Sequence, residues 1–241
     1  YTFHNNSSDR REWIDYFLSQ LDESYKKNLK KYVQSLRFRN TLLSKKPSKF
    51  KEQVLANDLE LSILSEYLTT KRVEFLKEIE PYCEDTFQKI FSEKHSLKIN
   101  LDSKIKGLDS NAICKMFANN LETDIERGLT SYGPHKDDYV LLFDGLNSFD
   151  FCSLGQQKMS YLSLLFAYIE LFRYKYMSYP IVLIDDVSGE LDQHRWRRLV
   201  EYLEKREFQV LITTANEKFK EELDRIDGAN KIFVKNGTII H

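Results

Sequence analysis

Ser153-Leu154-Gly155-Gln156-Gln157 opens a helix-like stretch that Pro180 closes; Ile181-Val182-Leu183-Ile184 then runs into Asp185-Asp186-Val187, and Ser188-Gly189-Glu190-Leu191-Asp192 follows at once. Four apolar residues ending in carboxylates suit a buried parallel strand, and ligands bind beyond the C-terminal ends of such strands. An Asp placed there can hold Mg2+, directly or through water, against nucleotide phosphates, which assigns Asp185 to the metal. A second acid beside it can polarise an attacking water, which assigns Asp186 to the catalytic base. Ser153, Gly155 and Gln156 stand where a helix begins, so a hydroxyl and free backbone N–H groups face outward to receive an anion. Taken singly, these are an ordinary helix cap and the polar end of a strand. Their order and spacing favour a nucleotide site.

That order is similar to the second half of an ABC-type ATPase head: signature motif, Walker B strand, catalytic acid and D-loop, with Asp192 closing the nucleotide-binding set. In such heads the anion at the signature helix is the γ-phosphate held by the opposite subunit, so the resemblance implies ATP as the glue of a dimer. The first half of the head has no counterpart here. No G-x-x-x-x-G-K-[ST] phosphate loop occurs, and there are only eight glycines. Without that loop the Asp185 site has no nucleotide to act on, so the expectation is a chain that is not an ATPase by itself. The start Tyr1-Thr2-Phe3, with no initiator Met, points to a fragment.

The chain has 241 residues, 41% hydrophobic and 30% charged, enough for a substantial core in one or two domains. No apolar run approaches the roughly 20 residues that span a bilayer, so no membrane association is expected. Cys83, Cys114 and Cys152 lie far apart with no C-x-x-C, which argues against a zinc site and for a reducing, cytoplasmic compartment. The net charge of −1 hides an uneven distribution: from Ser24 to Lys51 there are ten Lys or Arg and no acid, so the remainder is acidic. Such a run is usually a solvated helix face. Ten cations without a counter-charge would also attract a phosphate backbone, which assigns Lys26, Lys27, Lys30, Lys31, Arg37 and Arg39 to DNA contact.

Asp9-Arg10-Arg11-Glu12 reads as a capping box, and a stripe from Ile14 through Leu21, Tyr25 and Tyr32 to Leu36 predicts one long helix ending before Pro47. Two more helices follow, one on Phe50 to Leu68 and one on Val73 to Phe91 with a kink or break at Pro81. Ser96–Asp102 alternates as a strand, and Ile113, Phe117, Leu121 and Ile125 mark a helix with Gly128 just beyond its end. Tyr139 to Phe143 reads as a strand and Asp144-Gly145 as a hairpin turn. The signature helix, the Walker B strand, a helix with Trp196, Leu199, Val200 and Leu203, a strand from Phe208 to Thr213 and a hairpin turning at Asn236-Gly237 complete the chain. Alternating strands and helices imply an α/β architecture. The division expected is residues 1–11 closing an N-terminal head lobe, 12–125 as a helical arm, and 126–241 as the C-terminal lobe of an ABC/Rad50-type ATPase head.

Several segments together resemble the RecF family. Arg127, Gly128, Thr130 and Gly133-Pro134-His135-Lys136-Asp137-Asp138 follow its R-G-x-T-x-x-G-P-H-R-D-D; Arg10-Arg11-Glu12-Trp13-Ile14-Asp15 its R-R-x-F-L-D; Arg39-Asn40-Thr41-Leu42-Leu43 its R-N-x-L-L. Ser153 to Lys158 follows S-x-G-Q-Q-R, and Asp185 to Asp192 follows D-D-V-x-S-E-L-D with Gly189 at the family's Ser. Lys136 and Lys158 replace Arg, the stretch around His4 to Ser8 is shorter, and Thr213-Thr214 occupies the place of the transporter switch His. The resemblance implies a Rad50-like head with a helical arm that binds ATP and Mg2+ and dimerises with ATP. It also implies binding of double-stranded and gapped DNA, and work with RecR and RecO to load RecA. His135, in a turn between Pro and Lys, is expected to hydrogen-bond locally, and Trp13 and Trp196 to pack in the core.

Other readings fit less of the chain. A Rad50 or SMC arm needs long heptads, and a transporter subunit normally has Glu after the Walker B Asp and a switch His. A non-catalytic DNA-binding or partner-docking module is the alternative, supported by the basic segment and the missing phosphate loop.

Overall fold

Asn6, not Asp9, caps the first helix: its side chain accepts the Asp9 N–H and α1 runs Ser7–Leu21. The predicted long helix then breaks at Asp22. That residue is extended, its N–H closes α1 on the Leu18 carbonyl, and its carboxylate accepts the Tyr25 N–H to start α2, Glu23–Lys45. One side chain thus ends one helix and begins the next, a competition between local capping and helix propagation that an unbroken apolar stripe does not reveal.

The opposite correction applies further on. The two helices expected over residues 50–91 are one, α3, Phe50–Ile90, 41 residues and roughly 60 Å long. Pro81 lies within it on the exposed face, where the Lys77 carbonyl that loses its partner can be hydrated, while Ile79, Cys83 and Phe87 keep the inner face packed. A single helix from 113 to 125 is likewise replaced by α4, Ser110–Asn119, and α5, Leu121–Arg127, separated at Asn120; Gly128 ends α5 in the left-handed region, as expected.

The structure is a computed structural model that describes residues 6–91, 94–185, 192–205, 207–213, 230–235 and 237–240. β1, Leu97–Asp102, pairs antiparallel with β2, Asp138–Phe143, in the register Ile99 to Leu141, and β2 turns into β3, Leu146–Asn147. The turn residues Asp144 and Gly145 both have positive φ, the hairpin geometry expected of Asp-Gly. A short helix α6, Ser148–Phe151, leads to the signature helix α7, Leu154–Tyr176. β4, Val182–Ile184, and β5, Val210–Ile212, pair in parallel and are joined through α8, Gln193–Glu204. β6, Phe233–Lys235, and β7, Thr238–Ile240, form the closing hairpin; its Asn236 lies outside the described residues. The result is a helix-rich α/β fold. No helix among the described residues is long and apolar enough to cross a membrane.

α3 is the element against which α2, α4, α7, α8 and β1 all pack. Leu61, Leu68, Phe75, Ile79, Phe87 and Ile90 bury along it, and the Thr86 hydroxyl donates to the Ser163 carbonyl of α7 at 2.8 Å. Trp13 and Trp196 are both in the core, as expected.

Among the described residues, two arginines are buried within this apolar frame. Arg72, on the inner face of α3, makes a fork to both oxygens of Asp15 (2.9 and 2.8 Å) and donates to Asp137 at 2.7 Å and to the Pro134 carbonyl at 2.7 Å. Tyr25 donates to Asp15 at 2.5 Å, and Arg10 forks onto Asp138 at 2.6 and 2.8 Å. Arg39, 0% exposed, pairs with Asp58 and Asp124, both at 2.6 Å, and donates to Thr130 at 3.0 Å. Phosphate contact by Arg39 is therefore corrected: its charge is fully spent inside the protein, joining α2, α3 and α5. The run of ten like charges concealed it because its partners lie 19 and 85 residues away.

Truncating Arg72 to Met leaves the buried Asp137 and the partly buried Asp15 without their counter-charge. Urea unfolding of Arg72→Met is expected to show a loss of about 3–5 kcal/mol. Lys71→Met, which removes a half-exposed pair with Glu74, should change stability by no more than about 0.5 kcal/mol. Equal stabilities for the two variants would show that the buried cluster carries no weight.

Candidate functional site

Ser153 is the N-cap of α7 and forms a reciprocal capping box: its hydroxyl oxygen accepts the Gln156 N–H at 3.3 Å, and the Gln156 side chain accepts the Ser153 N–H at 2.9 Å. The hydroxyl proton of Ser153 is left to donate outward, and the N–H groups of Leu154 and Gly155 complete the first turn. Ser153 is exposed and Gly155 buried, so an anion would meet the serine at the mouth of the helix. Exposed Phe151 and Leu154 flank this mouth, an apolar rim beside a polar helix end. Lys158, one turn further, is buried within α7.

Asp185 follows β4 directly and is exposed at the C-terminal end of the parallel pair. Continuing the register of Ile184 with Ile212 by one residue sets Asp185 opposite Thr213. The Thr213 N–H bonds to the Ile184 carbonyl at 3.0 Å, and its hydroxyl donates to Asp185 Oδ1. Hard oxygen donors suit Mg2+, and no group of three or more metal-ligating side chains occurs among the described residues. Asp185 is an exposed carboxylate of the kind that can hold a cation together with phosphates and water. Asp192 caps α8 by accepting the Arg195 N–H at 2.9 Å. Asp186, the residues 187–191 of the D-loop, and Thr214 lie outside the described residues. Among the described residues, no hydrogen bond joins the Ser153 turn to Asp185 or Asp192.

The basic segment forms one surface. Lys26, Lys27, Lys30, Lys31 and Arg37 are exposed on the outer side of α2, and Lys45, Lys46, Lys49 and Lys51 continue it around the turn into α3. Between Lys26 and Lys45 this ridge extends roughly 28 Å. Along α2 itself the acid paired with it is Glu23, 3.8 Å from Lys26.

The residues around His135 have a structural task. Tyr32 lies 2.6 Å from Nδ1 and the Thr130 carbonyl 3.0 Å from Nε2. A carbonyl can only accept, so Nε2 carries the proton and the Tyr32 hydroxyl donates to Nδ1. Gly133, with φ of 134°, makes room: a Cβ there would stand 2.8 Å from the Tyr32 hydroxyl. Burial, aided by the positive charges of Lys136, Arg11 and Arg72 and opposed by the Thr130 bond, lowers the imidazole from its ordinary 6.5 to about 4. Thr130 in turn donates through N–H and hydroxyl to Asn40, at 2.9 and 2.7 Å. The G-P-H-x-D-D and R-N-x-L-L segments therefore lock α2 and α3 to β2. Sequence reasoning missed Arg72, Asp15, Asp58 and Asp124 as their partners. The available signal was position: Asp58 and Arg72 stand at helical spacing within the apolar stripe of Val54, Leu61, Leu68 and Phe75.

Because the folded-state pKa of His135 is lowered, the unfolded chain binds more protons than the folded one between pH 6.5 and 4, so acidification through that window favours unfolding. The stability supplied at neutral pH should fall by about 2 kcal/mol by pH 5. His135→Gln, which cannot titrate, should flatten that slope in urea titrations at pH 7, 6 and 5. Identical slopes would remove His135 as the cause.

Comparison with known proteins gives three findings. Residues 16–239 match the family model described as the RecF/RecN/SMC N terminal domain. The DNA replication and repair protein RecF of Clostridium beijerinckii is 33% identical over 237 residues, covering 96% of this chain and 63% of that protein; RecF of Clostridium botulinum (strain Alaska E43 / Type E3) is 33% identical over 236 residues, covering 96% and 64%. A solved structure of the recombination mediator protein RecF-ATPrS in the RecFOR pathway superposes with a TM-score of 0.79 at 23% identity, covering 98% of this chain and 64% of that one. The chain thus spans a little under two thirds of the length of these relatives.

Proposed function

The chain belongs to the RecF/RecN/SMC N-terminal domain family, and on that premise we propose that it is the signature, Walker B and arm portion of a RecF-type recombination-repair ATPase. The observation that carries this reading is a capped, exposed turn at Ser153 together with an exposed Asp185 at the end of a parallel strand pair. In the complete protein Asp185 would hold Mg2+ beside the ATP phosphates, and Asp186 would orient the attacking water. Ser153, Gly155 and Gln156 would receive the γ-phosphate of a second subunit, with Asp192 ordering the D-loop. Bound Mg2+ would supply charge neutralisation of the phosphates. The face of the β4–β5 pair that carries Leu183, 73% exposed, and Leu211, 51% exposed, is apolar and open, as a strand pair awaiting a further layer would be.

We assign DNA contact to the exposed ridge of Lys26, Lys27, Lys30, Lys31 and Arg37. A row of cations on one helix face touches phosphates without reading bases, which suits a protein acting on double-stranded and gapped DNA of any sequence. RecR and RecO are the partners, RecA loading is the outcome, and ATP drives formation of the homodimer. Residues 12–125 serve as the arm and 126–241 as the C-terminal head lobe, with α3 of the first packed against α7 and α8 of the second.

Binding of the complete protein to a gapped duplex, with and without ATP and Mg2+, tests the reading: affinity that rises with nucleotide supports an ATP-gated clamp, and equal affinity counts against it. Changing Lys30, Lys31 and Arg37 to Glu should abolish most binding and reduce the salt slope by about 2.7, roughly 0.9 for each phosphate that is no longer neutralised. Unchanged affinity would sink the ridge as the DNA-binding surface. Ser153→Arg places a bulky cation at the mouth of α7 and should prevent dimerisation by ATP in sedimentation experiments. A variant that still dimerises removes the signature role.

A further inference from the structure

We propose that Thr213 is a positioning residue for the metal-binding carboxylate: its hydroxyl fixes Asp185 so that one oxygen is held by the protein and the other is presented outward. The inference rests on the reading of Asp185 as a Walker B acid and adds to it the group that orients it.

The argument starts from the backbone. Parallel pairing sets Val182 against Val210, Leu183 against Leu211 and Ile184 against Ile212, and the Thr213 N–H to Ile184 carbonyl bond carries the ladder one step further. Thr213 therefore does not reach Asp185 from a free loop; the strands place it there. Side chains alternate along a strand, so Asp185 and Thr213 are in phase with exposed Leu183 and Leu211 and out of phase with buried Val182 and Ile184. Both project on the open side of the pair. The Thr213 hydroxyl can only donate to an ionised carboxylate, and it does so to Oδ1.

An exposed aspartate beyond a strand end has free rotation about χ1 and χ2. A donor fixed by the neighbouring strand removes that freedom before a cation arrives, so less ordering is left to be done on binding. The β-branched Thr suits this task better than Ser, because its methyl restricts χ1 and with it the direction of the hydroxyl.

The test is nucleotide affinity of the full-length protein, measured by calorimetry with ATP plus Mg2+ and with ATP plus EDTA. It is repeated with Mn2+ binding followed by electron paramagnetic resonance. Thr213→Val keeps the branched shape without the donor; it should weaken the metal-dependent affinity about fivefold and leave affinity in EDTA unchanged. Thr213→Ser, which keeps the donor, should recover most of the loss. Should Val prove unfolded in urea titration, Thr213→Ala serves as the same deletion. Equal metal dependence in wild type and the Val or Ala variant overturns the role of Thr213 while leaving the nucleotide site intact. Equal loss in Val and Ser overturns it too, since the hydroxyl would not be the cause. A wild-type protein whose nucleotide affinity ignores Mg2+ overturns the reading of Asp185 itself.

Discussion

The buried guanidinium of Arg72 is the constraint around which this structure is arranged. It lies on the inner face of the 41-residue α3 and draws Asp15 from α1, Tyr25 from α2, and Asp137 with the Pro134 carbonyl from the loop before β2. A charge taken out of water is tolerated only when each donor finds a partner. Those partners lie up to 65 residues from Arg72 in sequence, so satisfying one side chain fixes the relative placement of four elements. Arg39 repeats the device from α2, with Asp58, Asp124 and Thr130. Between the two clusters, Tyr32 and His135 form a neutral hydrogen-bonded link that burial keeps uncharged.

This arrangement separates residues that hold the fold from residues available to a ligand. The motif histidine and the Asp137-Asp138 pair face inward onto arginines and a tyrosine. Ser153, Asp185 and Asp192 face outward at the start of α7, the end of β4 and the start of α8, and each is already oriented by a local bond: the capping box, the Thr213 hydroxyl, and the Arg195 amide. Ends oriented in advance by the frame leave less order to be imposed when a ligand binds.

The strand and site motifs were readable because they are local. Alternation over Leu97–Asp102, the Asp-Gly turn, the apolar run into Asp185 and the Ser-x-x-Gln cap each depend on neighbours within a few residues. Helix boundaries were less readable. Asp22 interrupts an unbroken apolar stripe by capping on both sides, and Pro81 fails to interrupt one because its face is turned to water. The expectation that Arg39 contacts DNA fails for a related reason: charge count alone does not separate a cation that points in from those that point out, although Arg39 stands at helical spacing from buried Tyr25 and Tyr32.

By itself the sequence determined the α/β class, the placing of Ser153, Gly155, Gln156, Asp185 and Asp192 at the ends of their elements, and the concentration of positive charge before residue 52. Period, capping chemistry and charge count are properties of adjacent residues, and adjacency is what a sequence records. Tertiary structure alone decided which charges are buried, that Thr213 meets Asp185 across a parallel pair, and that one helix of 41 residues organises the rest. The buried arginine pairs join residues from 19 to 85 positions apart, where desolvation of a charge, not local preference, selects the partner, and the Thr213 contact follows from the register of two strands.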